Sequence, residues 1–275
     1  MYEWTLSSGP RRLLIRLCDW PGAEPPIVIL HGFLEQGAAW DRVARRLPRR
    51  VIAPDQRGHG RSGHVGGGGF YHFWDYVADV DALVQHLGAP VDLVGHSMGS
   101  TVAALFAGAR PDAVRRLVLV EGLGPPDVTH AAIDRARRFL DDLRAPPSHS
   151  PLASVEAGIE RVQLYNPSIP TEIARALVAR TTRPSPGGLV WTWDPLHRAR
   201  SPVPFQAPLF RRFLAEITAP TLVIKGRRSG FVVADEAQRL AALADARVAV
   251  VDDAGHLIHH DAPEALATLI EEHLS

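Results

Sequence analysis

Four runs along the chain are too continuously apolar to be strands with one wet face: Ile27-Val28-Ile29-Leu30, Val91-Asp92-Leu93-Val94, Leu117-Val118-Leu119-Val120 and Thr221-Leu222-Val223-Ile224. Short runs rich in β-branched residues, without polar alternation, predict strands buried on both faces. Val51-Ile52-Ala53 and Arg247 to Val251 predict two more, and the loose alternation of Leu13, Ile15 and Leu17 predicts one or two edge strands before Trp20. Between these runs the period changes to that of a helix. Trp40, Val43, Ala44 and Leu47 predict a helix over Gly37 to Leu47, stopped by Pro48; Trp74, Val77, Val80, Leu83, Val84 and Leu87 predict an amphipathic one from Phe73, ended by Gly88 and Pro90. Thr101 to Ala109 is nearly all apolar, hence a buried helix, and another is predicted from Asp235 to Ala244. Asp261, Pro263 and Glu264 read as the N-cap, early proline and capping-box acid of a closing helix that runs to His273. The alternation predicts an α/β fold, a mostly parallel doubly wound sheet with helices on both faces, whose ligands bind at the carboxyl ends of its strands.

From Gly122 to Phe213 this rhythm stops. The segment is broken by prolines, with helical stretches at Ile133 to Leu143, Ser154 to Leu164 and Thr171 to Arg180, and it is too long for a loop in a compact domain. The expectation is a core domain of residues 1–121 and 214–275, with a helical cap of residues 122–213 inserted after the sixth strand and lying over the active edge. Trp191 and Trp193 are its most distinctive residues; they either wall an apolar substrate pocket or anchor the cap to the core.

Composition narrows the functions. Lys+Arg 30 balance Asp+Glu 30, so nothing recommends a nucleic-acid or anionic-membrane partner. One cysteine, Cys18, excludes an intrachain disulfide, and no apolar run reaches membrane-spanning length. With no signal-like N-terminus the expected location is the cytoplasm, as a monomer or homodimer. The Gly66 to Gly69 run reads as a flexible spacer and Pro54 to Ser62 as a shaped loop beside the site, pinned by a local Asp55–Arg57 ion pair.

The candidate chemistry lies at the strand ends. Gly95-His96-Ser97-Met98-Gly99 is a G-x-S-x-G between a predicted strand and a predicted helix, the context of a nucleophile elbow. Such a turn lifts the serine above the sheet edge and aims the N–H of Met98 at a developing oxyanion, with glycines where side chains would crowd the turn. His31-Gly32-Phe33 ends another strand, which makes the Phe33 N–H a second oxyanion donor and His31 a pocket residue. Of the 13 histidines, only His256 follows a strand at the carboxyl edge late enough to complete a Ser, acid, His order.

With these four motifs in order, the sequence from Pro25 to His273 resembles the α/β-hydrolase fold family, its Glu121-Gly122-Leu123-Gly124 and Asp194-Pro195 stretches being most similar to the serine-hydrolase-like members. The resemblance implies Ser97 as nucleophile, His256 as general base, an oxyanion hole from the N–H groups of Phe33 and Met98, and no metal or organic cofactor. It also exposes a departure. Members commonly carry the triad aspartate in a G-x-x-D after the strand that here is Thr221 to Ile224, whereas this chain reads Gly226-Arg227-Arg228-Ser229. Glu121 is the replacement expected from the residues, because it leaves the strand next after the elbow helix at the same sheet edge; the alternative is an ion pair with an arginine of the cap. Asp252, Asp253, Asp235 and Asp194 are the rivals. The expected activity is hydrolysis of a small ester, thioester or lactone with an apolar part, through an acyl-serine. Carbon–carbon bond hydrolysis, cofactor-free peroxidation and ligand binding without catalysis are the alternatives on the same fold.

Overall fold

The computed structural model describes residues 1–8, 13–66, 69–88, 90–167 and 169–275. Part of the expected Gly66 to Gly69 spacer lies outside the described residues. In chain order the core elements are β1 (Tyr2–Ser8), β2 (Leu13–Trp20), β3 (Ala23–Leu30), α1 (Asp41–Ala44), β4 (Arg49–Pro54), α2 (Phe73–Leu87), β5 (Val91–His96), α3 (Met98–Ala109) and β6 (Val114–Val120). The insertion carries α4 (Ala132–Arg144), α5 (Val155–Tyr165), α6 (Thr171–Thr181) and the hairpin β7 (Thr182–Ser185) and β8 (Gly188–Trp191); α7 (Ala207–Ala215), β9 (Thr221–Gly226), α8 (Glu236–Ala242), β10 (Ala246–Val251), α9 (Ile258–Asp261) and α10 (Pro263–Leu274) follow.

Eight strands form one sheet in the order β1-β2-β4-β3-β5-β6-β9-β10. β2 runs antiparallel to β1 and β4, and every other pairing is parallel. The period-2 rule divides each buried strand between two cores. Val28, Leu30, Leu117 and Leu119 join Val80, Val102 and Phe106 of α2 and α3 on one face. Ile27, Ile29, Val118 and Val120 join Val43, Leu266 and Ile270 of α1 and α10 on the other. That two-sided burial is why these runs show no polar alternation.

The structure departs from the expected elements in four places. The helix expected over Gly37 to Leu47 is a 3-10 turn at Gly37–Trp40 followed by a single turn, α1. Asp261 ends α9 and accepts the Gly255 N–H at 2.8 Å, so Ala262 stands at the N-cap of α10 instead. Asp55 and Arg57 do not pair. Asp55 accepts the N–H groups of Gly37 and Arg61 at 2.8 and 2.9 Å, and Arg57 forms a fork on Asp79 at 2.6 and 2.7 Å. A boundary at residue 213 also cuts through α7, whose Phe210 and Leu214 sink into the core beside α3; α7 therefore packs with the sheet layer. The insertion keeps a small apolar centre of its own, Ile159, Ile169, Ala174 and Val178. Among the described residues no helix is long and apolar enough to cross a membrane.

Candidate active site

Ser97 sits between β5 and α3 with φ 52° and ψ −112°, a conformation that L residues avoid and that persists only where the surroundings enforce it. Two glycines do so. A Cβ on Gly95 would strike the Gly99 carbonyl, and one on Gly99 would strike that of Leu30, so strand and helix close on the serine only without side chains there. The Ser97 N–H is held by the Val120 carbonyl at 2.9 Å, which fixes the elbow to β6.

Glu121 is the first residue after β6, and it too has positive φ, 55°. Its N–H continues the parallel pairing to Ile224 at 2.8 Å, and the turned backbone sends its side chain to the end of β9. There one carboxylate oxygen accepts the Gly226 N–H at 2.6 Å, and the other accepts the Ser229 hydroxyl and faces His256 Nδ1 at 2.9 Å. His256 Nε2 lies 3.0 Å from Ser97 Oγ. Ser97, His256 and Glu121 are thus one continuous hydrogen-bonded series across three strand ends. The carboxylate is 1% exposed and the imidazole 35%. Burial raises the Glu121 pKa, but the donors from His256, Ser229 and Gly226 outweigh it and hold the acid below its ordinary value. Ser229, at the position where the acid was sought, supports the acid that comes from β6. Three of the rival carboxylates are occupied elsewhere: Asp252 pairs with Arg227, Asp235 with Arg211 and Arg239, and Asp194 accepts the Tyr71 hydroxyl at 2.8 Å.

In the loop after β3 the N–H of Gly32 goes to Glu35, that of Leu34 to His59 Nε2 at 3.1 Å, and that of Glu35 to the Gly32 carbonyl at 3.3 Å. Leu34 has φ 61°. Among the described residues, the Phe33 N–H is left without a protein acceptor, as is that of Met98 at the start of α3. Both residues line the same cavity as Ser97.

That cavity holds about 470 Å³ and is walled mainly by aromatic and aliphatic side chains from the core, α7 and the insertion, among them Phe33, Tyr76, Phe205, Leu209, Phe213 and Phe231. The expected pocket residues His31, Trp191 and Trp193 are not in its wall. His31 is fully buried beneath the loop, its ring accepting the Gln56 N–H at 2.9 Å and its carbonyl accepting the Gln56 side-chain amide at 2.6 Å. Trp191 packs on the insertion's own apolar centre, and Trp193 holds His149 through an edge contact at 4.2 Å and a carbonyl bond at 2.7 Å. The insertion is seated on the core by the next residues. Asp194 donates its N–H to the Gly58 carbonyl at 2.7 Å, and His197 stacks on Tyr71 at 3.8 Å and meets His59 in a tilted contact at 4.0 Å while lining the cavity. Burial pushes the His197 pKa down to about 4.

A second titratable group lies directly behind the series. His96 Nε2 faces the His256 carbonyl at 2.8 Å and Nδ1 faces the Glu35 carboxylate at 3.1 Å. Two acceptors require two ring protons, so His96 is an imidazolium and Glu35 its counter-ion. Burial opposes the charge, but Glu35 and the carbonyl overcome it and raise the His96 pKa, as His96 and His259 in turn hold Glu35 well below its ordinary value against its own burial. Glu35 Oε2 also accepts the Gly32 N–H at 2.6 Å, which ties the loop after β3 to the loop that carries His256. Glu35, His96 and His259 are the one group of metal-ligand type that comes together among the described residues, with ligand atoms within 4.8 Å. A doubly protonated His96 offers no lone pair to a cation, and the donor set fits an internal ion pair better than a metal. This network has no signature in the sequence, because nothing local distinguishes the variable positions of G-x-S-x-G or a loop glutamate.

Comparison with known proteins agrees with this architecture. A Lipase LipV from Mycobacterium tuberculosis (strain ATCC 25618 / H37Rv) is 33% identical over 276 residues, spanning 92% of this chain and 95% of that protein. A serine hydrolase-like protein from Danio rerio is 28% identical over 269 residues, spanning 92% and 82%. Among solved structures, a thioesterase domain from the curacin biosynthetic pathway superposes with a TM-score of 0.89 at 35% identity, covering 98% of this chain and 99% of that one. The family model described as the alpha/beta hydrolase family matches residues 27–269. The chain therefore belongs to the alpha/beta hydrolase family, beside its serine-hydrolase-like members.

Proposed function

We propose that the protein is a serine hydrolase that cleaves a carboxylic ester or thioester of a small, partly apolar molecule through an acyl-enzyme on Ser97. The observation that carries this is the hydrogen-bonded series from Ser97 Oγ through His256 to Glu121, opening into an apolar cavity beside two unengaged N–H groups. In the first half-reaction His256 Nε2 takes the hydroxyl proton as Ser97 Oγ bonds to the carbonyl carbon. The negative charge that moves onto the carbonyl oxygen is met by the N–H groups of Phe33 and Met98, the second aided by the N-terminus of α3. Collapse breaks the bond to the alcohol or thiol, which leaves with the proton from His256; water, deprotonated by the same ring, then releases the acid and restores Ser97. Glu121 fixes the Nδ1–H tautomer and balances the imidazolium in both halves. The insertion acts as a cap, its residues and α7 forming the wall opposite the serine. The relatives named lipase, serine hydrolase-like protein and thioesterase support acyl transfer as the reaction class.

The test is turnover of para-nitrophenyl esters and matched thioesters of graded chain length by the wild-type protein and by Ser97→Ala. The expected result is hydrolysis that falls by roughly a million-fold in the variant. Comparable turnover by both overturns the proposal.

A further inference from the structure

α4 is assembled in an unusual sense. Its inward positions, spaced as one helix face, are Arg135, Ala136, Phe139 and Asp142, while Ile133, Leu140 and Leu143 are exposed to solvent. Arg137 and Arg144 of the same helix point outward and pair with Asp134 and Asp141. Arg135 instead enters the wall of the cavity that opens on Ser97. Its Nε is buried and takes no hydrogen-bond partner, and no carboxylate pairs with its guanidinium among the described residues. Among the described residues no Asp, Glu or Lys contributes to that wall, and Arg135 is its one permanently charged group. The charge that bears on it is another cation, Arg200, whose neighbours Ala199 and Ser201 also line the cavity. Burial and Arg200 both disfavour the charge on Arg135, and among the described residues no acid offsets them. Arg135 is partly buried, with its Nε shielded from water, and a guanidinium held against aromatic walls without a counter-ion keeps its pairing capacity for an anion in the cavity.

We propose that Arg135 is a specificity-determining anion site, and that the substrate of Ser97 pairs an apolar stretch with a carboxylate or a phosphate that Arg135 binds. This rests on the hydrolase reading above and narrows it to anionic esters or thioesters. The planar fork of an arginine suits a two-oxygen contact with either group, and such a charge-assisted pair is stronger than a neutral hydrogen bond. The anion belongs either to the acyl half, as the far carboxylate of a diacid, or to the leaving group, as a phosphate on the thiol or alcohol.

Two matched pairs of probes separate these sources. For the acyl half they are the mono-para-nitrophenyl ester of suberic acid and para-nitrophenyl octanoate; for the leaving group, S-octanoyl-phosphopantetheine and S-octanoyl-pantetheine. The readout is the ratio of kcat/KM for the charged over the neutral member. In the wild type one pair is expected to favour the charged member. Arg135→Gln should lower that ratio roughly 10- to 100-fold, Arg135→Lys should recover part of it, and Arg137→Gln, in the exposed ion pair of the same helix, should leave it in place. A wild-type ratio at or below one in both pairs, or a ratio unmoved by Arg135→Gln in a protein with an unchanged circular dichroism melt, overturns the anion site and leaves the hydrolase reading standing. A binding measurement separates the two claims in the other direction. In the Ser97→Ala background, calorimetry with the mono-N-methylamide of suberic acid and with N-methyloctanamide needs no turnover, and tighter binding of the charged amide that vanishes in Arg135→Gln supports the site even if no ester is hydrolysed. Equal binding of the two amides, together with a phosphopantetheine ratio of one, overturns it.

Discussion

Replacing Glu121 by glutamine tests the least conventional part of the site. The carboxylate now accepts from three donors, His256 Nδ1–H, the Gly226 N–H and the Ser229 hydroxyl, and it is 1% exposed. An amide has one accepting oxygen. If that oxygen turns to Gly226, the amide nitrogen faces His256 Nδ1, and the ring answers by moving its proton to Nε2, where it points at Ser97 and cannot serve as base. If the oxygen turns to His256, the amide N–H meets the Gly226 N–H, and a buried donor goes unmet at a cost of about 1–3 kcal/mol. Both arrangements also lose the charge that stabilises the imidazolium. The expected loss is about ten-thousand-fold in kcat, as for the carboxylate-to-amide change in known triads, or about 5 kcal/mol of barrier. The assay is single-turnover and steady-state hydrolysis of an activated ester, well below the melting temperature, with the concentration of active sites measured by burst titration. Ser229→Asp in the same background should restore part of the rate, because Ser229 already touches the oxygen that faces His256. Glu121→Gln with turnover within a few-fold of wild type would refute the assignment of the acid.

Three further outcomes follow from the surroundings of the site. Glu35→Gln leaves the buried His96 cation unpaired and should cost about 3–5 kcal/mol in denaturant unfolding. Because the His96 pKa is raised, its share of stability is present below about pH 6.5 and is lost as pH climbs through the raised value; Glu35, whose pKa is lowered, contributes above about pH 4.3 and loses its share as pH falls through the lowered value. The gap between wild type and variant should therefore be widest between those limits, and a gap that does not vary with pH contradicts the ion pair. His197 is lowered to about 4, so the unfolded chain binds its proton first, and stability should rise with pH from about 4 to about 6.5, by roughly 3 kcal/mol for this group at most. His197→Gln should flatten that rise; an unchanged slope in urea titrations would show that the ring is not buried neutral. Trp191→Ala should lower stability while changing chain-length preference less than Leu209→Trp, which narrows the cavity wall; the reverse order would return Trp191 to the pocket.

Much of the sheet was legible because burial on both faces writes itself as unbroken apolar runs: Ile27 to Leu30 and Leu117 to Val120 fall where expected, and the motifs at their ends meet at one edge. The positions of Ser97, Glu121 and His256 could be read because each follows a strand, and strand ends are local features. What was not legible depends on partners far away in the chain. Arg57 chose Asp79 over Asp55 because α2 brings a buried carboxylate to it, and no short-range pattern encodes that choice. Trp191 and Trp193 could be pocket walls or cap anchors because large aromatics serve both binding and packing; only distant partners decide, the insertion's apolar centre for Trp191 and His149 for Trp193. Arg135 was hidden in an Arg-rich helix where several guanidinium groups look alike in sequence, and its orientation alone sets it apart. The helix expected over Gly37 to Leu47 failed through the period, since Trp40, Val43, Ala44 and Leu47 are buried in a tight turn and a single helical turn that satisfy the same spacing.

The most direct measurement is the stoichiometry and position of covalent labelling by a fluorophosphonate, read by intact mass and peptide mapping in wild type, Ser97→Ala and His256→Ala. The account predicts one adduct per chain, on Ser97, formed rapidly in the wild type, absent in Ser97→Ala and slowed by several orders of magnitude in His256→Ala. No adduct in the wild type, an adduct on another residue, or equally fast labelling of Ser97 without His256 would contradict it.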